Sequence, residues 1–477
     1  MAIEYLKWFC DKIVWGMPTV FLFLGTGLYL SFKIRFFQIR HLGLTFKKTI
    51  GSLFKRSKEK SKNDKSVSEL QVISTTLAAT IGTGNIAGVA TALTIGGAGA
   101  IFWMWVSAFL GMATAYCENL LAVLYRKKNK NGEYIGGAMY YLKEGLKSKK
   151  ILHHFGKPLA FIFTFLCLLA SFGMGNMIQV NTISELFSYG VCGIKLSKDF
   201  VGILLAVFIG YTLFGGIKRI CRITEKLVPI MAFLYIFGTL AVIMVNKNNL
   251  ISSVFLVFKG AFGLDSAIGG FSGVLVKKAI ETGLRRGIFS NEAGLGTSTL
   301  VGSCTEVTEP AVQGMWGIFT VFFDTVIGCS LTAFAILTSG VLGEGENGAA
   351  LVSSAFKASL GTAAGELTSI LTLLFALSTV IGWSFYGIKT AEYLFKEKFI
   401  WIYKLAFTLL VIPGAIFGLS TVWLIADIFN GLMAIPNLIG VLTLGGEVKI
   451  ITENYKKRII KNKDYVPPII SAYKNGF

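Results

Sequence analysis

An apolar segment of the sequence contains residues that weaken helices. Residues 79–93 read ATIGTGNIAGVATAL and lie within an apolar stretch, 69–95, that is long enough to cross a bilayer. Gly82, Gly84 and Asn85 interrupt this stretch. A helix that opens inside hydrocarbon frees N–H and C=O groups that lipid cannot satisfy, whereas a bound solute or ion can. The pattern predicts a broken membrane helix that binds a ligand through its backbone.

A second interruption follows five predicted spans later, in the segment DSAIGGFSG of residues 265–273. A repeat of five spans, an odd number, inverts the second set relative to the first. Paired broken helices in two inverted halves indicate the midplane site of a secondary transporter. We predict that carbonyl groups freed at Gly269 and Gly270 accept a substrate ammonium, and that Phe271 forms the floor of a side-chain pocket.

Membrane helices must position these residues. Of 477 residues, 53% are hydrophobic and 15% charged, and the mean hydropathy is +0.65, whereas soluble proteins carry about a quarter charged residues. Apolar runs of about 20 residues recur, which predicts an all-α polytopic membrane protein. The seventh run is too long for one crossing and is expected to include an amphipathic cytoplasmic piece near 277–286. The eleven predicted spans are 15–37, 69–95, 98–126, 158–190, 199–216, 226–246, 252–290, 311–341, 366–395, 400–419 and 421–445.

Lysine and arginine accumulate on one side of this topology. Loops assigned to the cytoplasm, with 277–286 among them, hold 39 of the 46 basic residues. This bias predicts an amino terminus outside the cell (plasma) membrane and a carboxyl terminus inside it. It also explains the net charge of +20 by attraction to the lipid bilayer rather than to nucleic acid. We predict one transmembrane domain, 1–446, and a basic cytoplasmic tail, 447–477.

Metal-dependent or covalent catalysis has little support in the sequence. The seven cysteines contain no CxxC pair, and the three histidines lie in basic loops. No cofactor or zinc site is therefore predicted, no obligate protein partner is evident, and the protein is not expected to be an enzyme.

Four motifs resemble those of the alanine/glycine:cation symporter family. They are TIGTGNIAGVATAL, GAFGLDSAIGGFSG, RRGIFSNEAGLGTS and PAVQGMWGIFTVFFDT, and the similarity extends from the first span to about residue 446. The resemblance implies a leucine-transporter-type fold with a five-plus-five inverted repeat, 69–246 and 252–445, preceded by the extra span 15–37. It also implies transport of small neutral amino acids, chiefly alanine and glycine, with sodium. We expect this transport to proceed by alternating access.

The substrate site is predicted at the first interruption and on the spans that face it. Gln179 of the fourth span is predicted to contact the substrate, and an interhelical hydrogen bond is the alternative. Trp383 of the ninth span, together with Phe271, is predicted to leave room for a methyl group and to exclude larger side chains. Asn85 also suits the capping of the half-helix that follows it. The resemblance places the substrate carboxylate at the break residues Thr80, Gly82, Thr83, Gly84 and Asn85.

A sodium site is predicted beside the substrate. Ser378 and Thr379 offer hydroxyl oxygens near the middle of the ninth span. By resemblance to the sodium site shared by this fold, the carbonyl groups of Ala78, Ile81 and Phe375 complete it. The alternative is that both hydroxyls bond back to their own helix.

Other functions stay open at this point. A proton-coupled amino-acid carrier of the same fold is the closest alternative, with Asp324 as the best proton-relay candidate. An ion channel would need a continuous polar lining, whereas the polar residues here are scattered. The segment SNEAG, 290–294, is interpreted as a cytoplasmic gate or loop cap, with Arg285 and Glu292 as candidate ion-pair partners.

Overall fold

Long apolar helices dominate the protein. The computed structural model describes residues 2–56, 67–130, 132–191, 193–263, 271–395, 397–417, 419–463 and 465–472. Within these ranges, seven helices are long and apolar enough to cross a membrane, and a bent helix pair brings the number to eight. The chain is therefore a multi-pass membrane protein. The finer count of eleven spans stays a prediction.

The first half of the chain contains twelve helices and one short hairpin. In the hairpin, β1 (Lys127–Lys128) pairs antiparallel with β2 (Tyr134–Ile135). The helices are α1 (Ala2–Phe9), α2 (Met17–Lys33), α3 (Phe37–Arg40), α4 (Leu42–Lys48), α5 (Ile50–Arg56), α6 (Glu69–Thr80), α7 (Val89–Gly96), α8 (Gly99–Leu124), α9 (Ala138–Tyr140), α10 (Gly156–Phe172), α11 (Ile178–Tyr189) and α12 (Lys198–Phe214).

The second half is built from longer helices. They are α13 (Ile217–Val245), α14 (Leu250–Phe262), α15 (Phe271–Asn291), α16 (Ser298–Gly302), α17 (Pro310–Val321), α18 (Ser330–Ser339), α19 (Gly348–Leu360), α20 (Thr362–Phe395), α21 (Ile400–Ile416) and α22 (Leu419–Tyr455). Short 3₁₀ turns occupy Leu146–Ser148, Lys247–Asn249 and Glu397–Phe399, and π-helical segments occupy Cys10–Val14, Gly84–Gly88, Tyr141–Gly145, Gly173–Met177, Phe322–Cys329 and Lys456–Ile460.

Local sequence signals set the start of the helices that matter most for the site. Ser68 Oγ accepts a hydrogen bond from Gln71 N at 3.2 Å, and Gln71 Oε1 accepts one from Ser68 N at 3.3 Å. This capping box satisfies free N–H groups at the start of α6. Pro310 is the first residue of α17, where its missing N–H costs no hydrogen bond.

Helices α13 and α20 pack against α6, and helices α8 and α15 pack against α7, on either side of the bend. Helix α8 packs against α15 and α17, while α20 packs against α6, α10 and α11. Helix α22 packs against α10. The buried core therefore surrounds the interrupted helix, and this arrangement positions the candidate site.

Two predicted boundaries need correction. The predicted seventh span, 252–290, is two helices, α14 and α15, separated by residues outside the described ranges. Helix α22 runs through residue 446, so the predicted end of the domain falls inside a helix. Its extension is anchored, because Glu447 accepts a hydrogen bond from Tyr125 and pairs with Lys149 at 2.8 Å. Hydropathy falls before the helix ends, so the apolar pattern stops earlier than the helix does, and the domain boundary itself stays a prediction.

The basic segment 277–286 lies beside the amino-terminal segment. Arg285 Nη1 donates to Asp11 Oδ1 at 2.9 Å, and residues of both segments line a cavity of about 650 Å³. The sequence analysis assigned them to opposite sides of the membrane, and that relative placement was wrong. The charges of α15 face a polar groove at the end of the molecule that contains Asp11. Placing the four basic residues of this segment on the side of the amino terminus lowers the number of basic residues assigned to the cytoplasm from 39 to 35 of 46.

Candidate substrate and cation site

The first broken helix opens at the predicted place. Helix α6 ends at Thr80, and the chain continues as the π-helical segment Gly84–Gly88 and then α7, with a bend of 46°. Inside this first break, Asn85 Oδ1 accepts a hydrogen bond from Gly82 N at 3.2 Å. The last carbonyl groups of α6 lack partners further along the helix, as at any helix end. The prediction of an interrupted helix here is confirmed.

Two side chains of the first break contact different helices. Thr83 Oγ1 donates to Gln179 Oε1 of α11 at 3.1 Å. Asn85 Nδ2 donates to Asp324 Oδ1 at 2.8 Å and to the Asp324 carbonyl oxygen at 3.1 Å. Residues two apart on a helix differ by about 200° in direction, so Gln179 and Asp324 flank the break from different sides. All four side chains are buried.

Thr80 makes a purely local contact. Its Oγ1 donates to Thr76 O, one turn earlier in α6, at 3.1 Å. The predicted substrate contact of Thr80 therefore stays a prediction, while its position at the end of α6 is established.

Three π-helical segments converge on this region. Gly84–Gly88 follows the first break, Gly173–Met177 directly precedes the helix of Gln179, and Phe322–Cys329 contains Asp324. A π turn shifts the backbone hydrogen-bond pattern of a helix, and such turns are frequent at functional sites. The convergence identifies the surroundings of the first break as the candidate functional site.

Helix α20 places the Thr379 hydroxyl against the first break. A Cβ atom on Gly82 would lie 2.5 Å from Thr379 Oγ1, so only glycine allows this approach. Ser378 and Thr379 each donate to Phe375 O at 2.9 Å. The hydroxyl hydrogens of both residues are therefore engaged within their own helix. The lone pairs of the hydroxyl oxygens stay available to a cation.

The predicted carbonyl ligands come from neighbouring elements. Ala78 lies in the last turn of α6, and Ile81 follows the end of that helix, with its N–H donating to Leu77 O at 2.8 Å. Ala78, Ile81 and Phe375 are all buried. The predicted sodium ligands therefore lie on two packed elements, α6 with the residue that follows it and α20, and their joint ligation of sodium stays a prediction.

Trp383 links α20 to the region of Gln179. It is fully buried, and a Cβ atom on Gly175 would lie 2.3 Å from the Trp383 Cβ. Its ring packs edge-on against Tyr386 with centroids 5.3 Å apart. Trp383 Nε1 is buried and makes no hydrogen bond of normal geometry to the described residues.

A second buried opening lies between α15 and α16. The connection is not helical, and Glu292, Gly294 and Gly296 have φ angles of 54°, 96° and 78°. Glycine adopts such angles without steric cost because it lacks a Cβ atom. Ser290 precedes this second break, and a Cβ atom on Gly84 would lie 3.8 Å from its Cα. The two breaks are therefore adjacent.

The second break differs from the one that the sequence predicted at 265–273. Gly269 and Gly270 lie outside the described residues, and Phe271 is the first residue of α15. Their substrate contacts therefore stay predictions. The sequence analysis placed the SNEAG segment beyond the membrane-spanning part, but the structure buries it beside the first break.

The candidate ion pair between Arg285 and Glu292 was wrong. Glu292 instead accepts a hydrogen bond from Thr297 Oγ1 at 2.6 Å, across the second break. Arg285 contacts Asp11 and, at 3.9 Å, Asp427 of α22. Glu292 lies past the end of α15 and has a φ angle of 54°, so it does not continue the helix that carries Arg285.

Asn437 of α22 connects the second break to α8 by hydrogen bonds. Its Nδ2 donates to Gly294 O at 2.9 Å and to Glu118 Oε1 of α8 at 2.5 Å. Tyr141 donates its hydroxyl hydrogen to Asn437 Oδ1. Since each of these groups is buried, the contacts satisfy polar atoms that would otherwise be costly.

The sequence analysis named Ser290 only as part of the SNEAG gate, and it interpreted Asp324 as a structural acid or a proton relay. In the structure, Ser290 Oγ donates to Asp324 Oδ2 at 2.8 Å, which connects α15 to the π-helical segment after α17. The available signal was a single acid in an otherwise apolar span. Its contact with Ser290 was missed because the SNEAG segment, 290–294, had been placed past the seventh span on the cytoplasmic side.

The overall fold is shared with known transporters. The structure is similar to that of MhsT in complex with L-phenylalanine, with a TM-score of 0.55 and 13% sequence identity over 82% of this chain and 99% of that chain. The chain therefore shares the architecture of that structure, and its two buried breaks define the candidate site.

Sequence comparison identifies the family. The profile of the sodium:alanine symporter family matches residues 2–468, and the chain belongs to this family. It is 40% identical to the sodium/alanine symporter AgcS of Methanococcus maripaludis, over 95% of this chain and 97% of that protein. It is 35% identical to the probable sodium/glutamine symporter GlnT of Bacillus subtilis, over 97% and 93%. The resemblance drawn from the four motifs is confirmed, and the protein is an amino-acid:cation symporter rather than an enzyme.

Proposed function

We propose that the protein imports small neutral amino acids, alanine and glycine, together with sodium across the plasma membrane by alternating access. The proposal rests on one observation: polar side chains from two different helices, α11 and α20, approach the same broken helix. Gln179 contacts Thr83 of the first break, and the Thr379 hydroxyl lies against Gly82. A zwitterion and a cation can thus share the same opened backbone.

In this proposal the substrate carboxylate binds the backbone of the first break. The Gly82 N–H already donates a hydrogen bond to Asn85 Oδ1. The N–H groups of Thr83 and Gly84 would therefore donate to the substrate carboxylate. Gln179 then orients it from α11. Trp383 and Phe271 limit the space for the side chain, which favours glycine and alanine over larger amino acids.

Sodium occupies the oxygens of α6 and α20 in this proposal. One sodium ion moving through 100 mV supplies about 2.3 kcal/mol. A tenfold gradient adds about 1.4 kcal/mol. Together these supply an accumulation of alanine of several hundredfold, on the order expected for a nutrient importer. We also propose eleven crossings, one extra amino-terminal span followed by two inverted five-span repeats, with the amino terminus outside.

A proton-coupled carrier is the second candidate, favoured by one specific observation. Glu118 is fully buried, and its Oε2 has no hydrogen-bond partner among the described residues. A carboxyl in such surroundings is able to bind a proton during a transport cycle.

The test is uptake of radioactive alanine into proteoliposomes that contain the purified protein. Three parallel samples carry an inward sodium gradient, an inward proton gradient or neither, all at the same membrane potential. Accumulation only with the sodium gradient is expected. Accumulation with the proton gradient alone would favour the second candidate, and uptake that never exceeds equilibration would contradict symport.

A further inference from the structure

A polar cavity lies between the amino-terminal segment and α15. Its volume is about 650 Å³, and its walls come from residues 11–20, from the end of α7 and from one side of α15. Among the described residues that line it, five are basic and two are acidic. The basic residues are Lys12, Lys277, Lys278, Arg285 and Arg286. The cavity therefore carries an excess of positive charge.

The carboxylates beside this cavity are already paired. Arg285 Nη1 lies 2.9 Å from Asp11 Oδ1, and Arg285 Nη2 lies 3.9 Å from Asp427 Oδ2. Glu281 lies 3.9 Å from Lys277, one turn earlier in α15. Even with Asp427 included, five cations face three carboxylates, so the protein itself does not balance the charge of the cavity.

Three cations of the polar cavity have no counter-charge of their own. Lys12, Lys278 and Arg286 form no ion pair within the part of the chain that the structure describes. Arg286 is the most informative of them, because it is partly buried and its guanidinium lies 5.9 Å from the centre of the Phe289 ring. A guanidinium presents its N–H donors in a planar fork that matches a phosphate or a carboxylate. These cations are therefore suited to an anion from outside the chain.

An apolar cavity adjoins the polar one. Its volume is about 470 Å³, and Met17, Lys277 and Glu281 line both cavities. Its other lining residues are Phe262, Gly273, Val276 and Ile280. A molecule that fills both cavities must therefore join an anionic group to an apolar chain.

Exposed side chains place the two cavities at the membrane surface. Tyr5 and Trp8 of α1 are 64% and 51% exposed, and their ring centroids lie 5.8 Å apart. Tyrosine and tryptophan concentrate where the hydrocarbon meets the lipid headgroups. Helix α1 leads directly into the segment that carries Lys12. The exposed apolar side chains of Val274 and Leu275 on α15 indicate contact with lipid. The polar cavity therefore lies at the depth of the headgroups.

We propose that the two cavities bind one anionic phospholipid from the leaflet on the side of the amino terminus. Its phosphate lies among Lys12, Lys278 and Arg286, and an acyl chain lies along Val276 and Ile280. Charge-assisted hydrogen bonds from guanidinium and ammonium groups hold phosphate strongly, and basic pockets between membrane helices recognise anionic headgroups. A zwitterionic lipid is disfavoured, because its own cation would enter a cavity that already has an excess of them.

The bound lipid would connect the amino-terminal segment to α15, the helix that leads into the second break. This inference goes beyond the proposed function and does not depend on the substrate or on the coupling ion. Failure of sodium-driven uptake would therefore leave it intact, and failure of lipid binding would leave the proposed function intact.

Native mass spectrometry of the full-length, detergent-purified protein tests the inference. The protein is titrated with phosphatidylglycerol, with phosphatidylcholine, or with glycerol 3-phosphate, which carries the phosphate without acyl chains. The wild type should bind one phosphatidylglycerol about tenfold more tightly than it binds further copies of that lipid or phosphatidylcholine. Glycerol 3-phosphate should not bind at the same concentrations, because it cannot fill the apolar cavity.

Variants separate the charge of the site from its apolar part. The double variant Lys278→Gln with Arg286→Gln should bind the first phosphatidylglycerol about fivefold more weakly for each charge removed. The matched control, Lys195→Gln with Lys247→Gln, removes two exposed lysines that line neither cavity, and it should bind like the wild type. Gly273→Trp fills the apolar cavity, where an added Cβ atom meets no other atom within 4 Å, and it should weaken binding about tenfold without a change of charge.

Several results would overturn the inference. They are phosphatidylcholine that binds as tightly as phosphatidylglycerol, or a cavity double variant that loses no more affinity than the control. Binding of glycerol 3-phosphate together with unchanged lipid binding in Gly273→Trp would indicate a site for free anions instead. A dimer that Gly273→Trp abolishes would place a second copy of the chain in the apolar cavity. If the double variant does not fold, Gly273→Trp decides together with Arg286→Lys, which keeps the charge and should retain most of the binding.

Discussion

Thr379→Val removes one hydroxyl from the first break and keeps the shape of the side chain. In the structure this hydroxyl donates only to Phe375 O, within its own helix, at 2.9 Å. A helix retains its backbone bonds without such a contact, and one neutral hydrogen bond contributes about 1 kcal/mol. The fold should therefore tolerate the change.

The effect on sodium should be much larger than the effect on folding. If the Thr379 oxygen ligates sodium, its loss removes a contact to a charged species. Hydrogen bonds to charged groups contribute about 1.5–3 kcal/mol, and we take the same order for this ligand. That corresponds to a rise of about 10- to 150-fold in the sodium concentration for half-maximal uptake.

Thr372→Val is the matched control. Thr372 lies on the same helix, is 1% exposed, and donates to Thr368 O at 2.8 Å. The assay is alanine uptake against external sodium at fixed potential, with thermal stability measured on the same preparations. The sodium assignment is refuted if Thr379→Val shifts the sodium requirement no more than Thr372→Val does, while both remain folded.

Three other predictions concern size selectivity, stability and topology. Trp383→Leu should lower the discrimination between alanine and valine about tenfold in a competition assay, because its indole packs beside Gly175; unchanged selectivity would count against a steric role. Asn437→Ala should lower the free energy of unfolding by about 2–4 kcal/mol, because it removes the amide that donates a hydrogen bond to the buried Glu118 carboxyl. A loss under 0.5 kcal/mol would contradict this. A cysteine at Lys278 should react with an impermeant maleimide from the side that exposes the amino terminus, and labelling from the opposite side would refute the corrected topology.

The position of the first break was predictable because local chemistry determines it. Gly82 and Asn85 weaken a helix wherever they occur in an apolar segment, and no distant contact is needed to see this. The hydroxyl pair on α20 was recognisable for the same reason. Family resemblance then supplied the pairing of α6 with α20, which periodicity alone does not give.

The second break was missed because its signal depends on tertiary context. The basic residues of 277–286 look like a cytoplasmic surface, yet Arg285 is paired with Asp11 at the end of the molecule that holds the amino terminus. Assigning this segment to the wrong side moved Ser290 and Glu292 away from the first break. A sequence pattern reports charge but not the partner that neutralises it, so the contact of Ser290 with Asp324 was not accessible.

The amino-terminal segment has a mechanical consequence for transport. Arg285 touches both Asp11 and Asp427, and Trp15 Nε1 donates to Asp427 O at 3.0 Å. Arg285 thus joins helix α15, which leads into the second break, by ion pairs to the amino-terminal segment and to α22. In the proposed alternating-access cycle, any movement of α15 relative to α22 would have to break the ion pairs of Arg285. Added salt weakens ion pairs, so the turnover rate should rise with ionic strength.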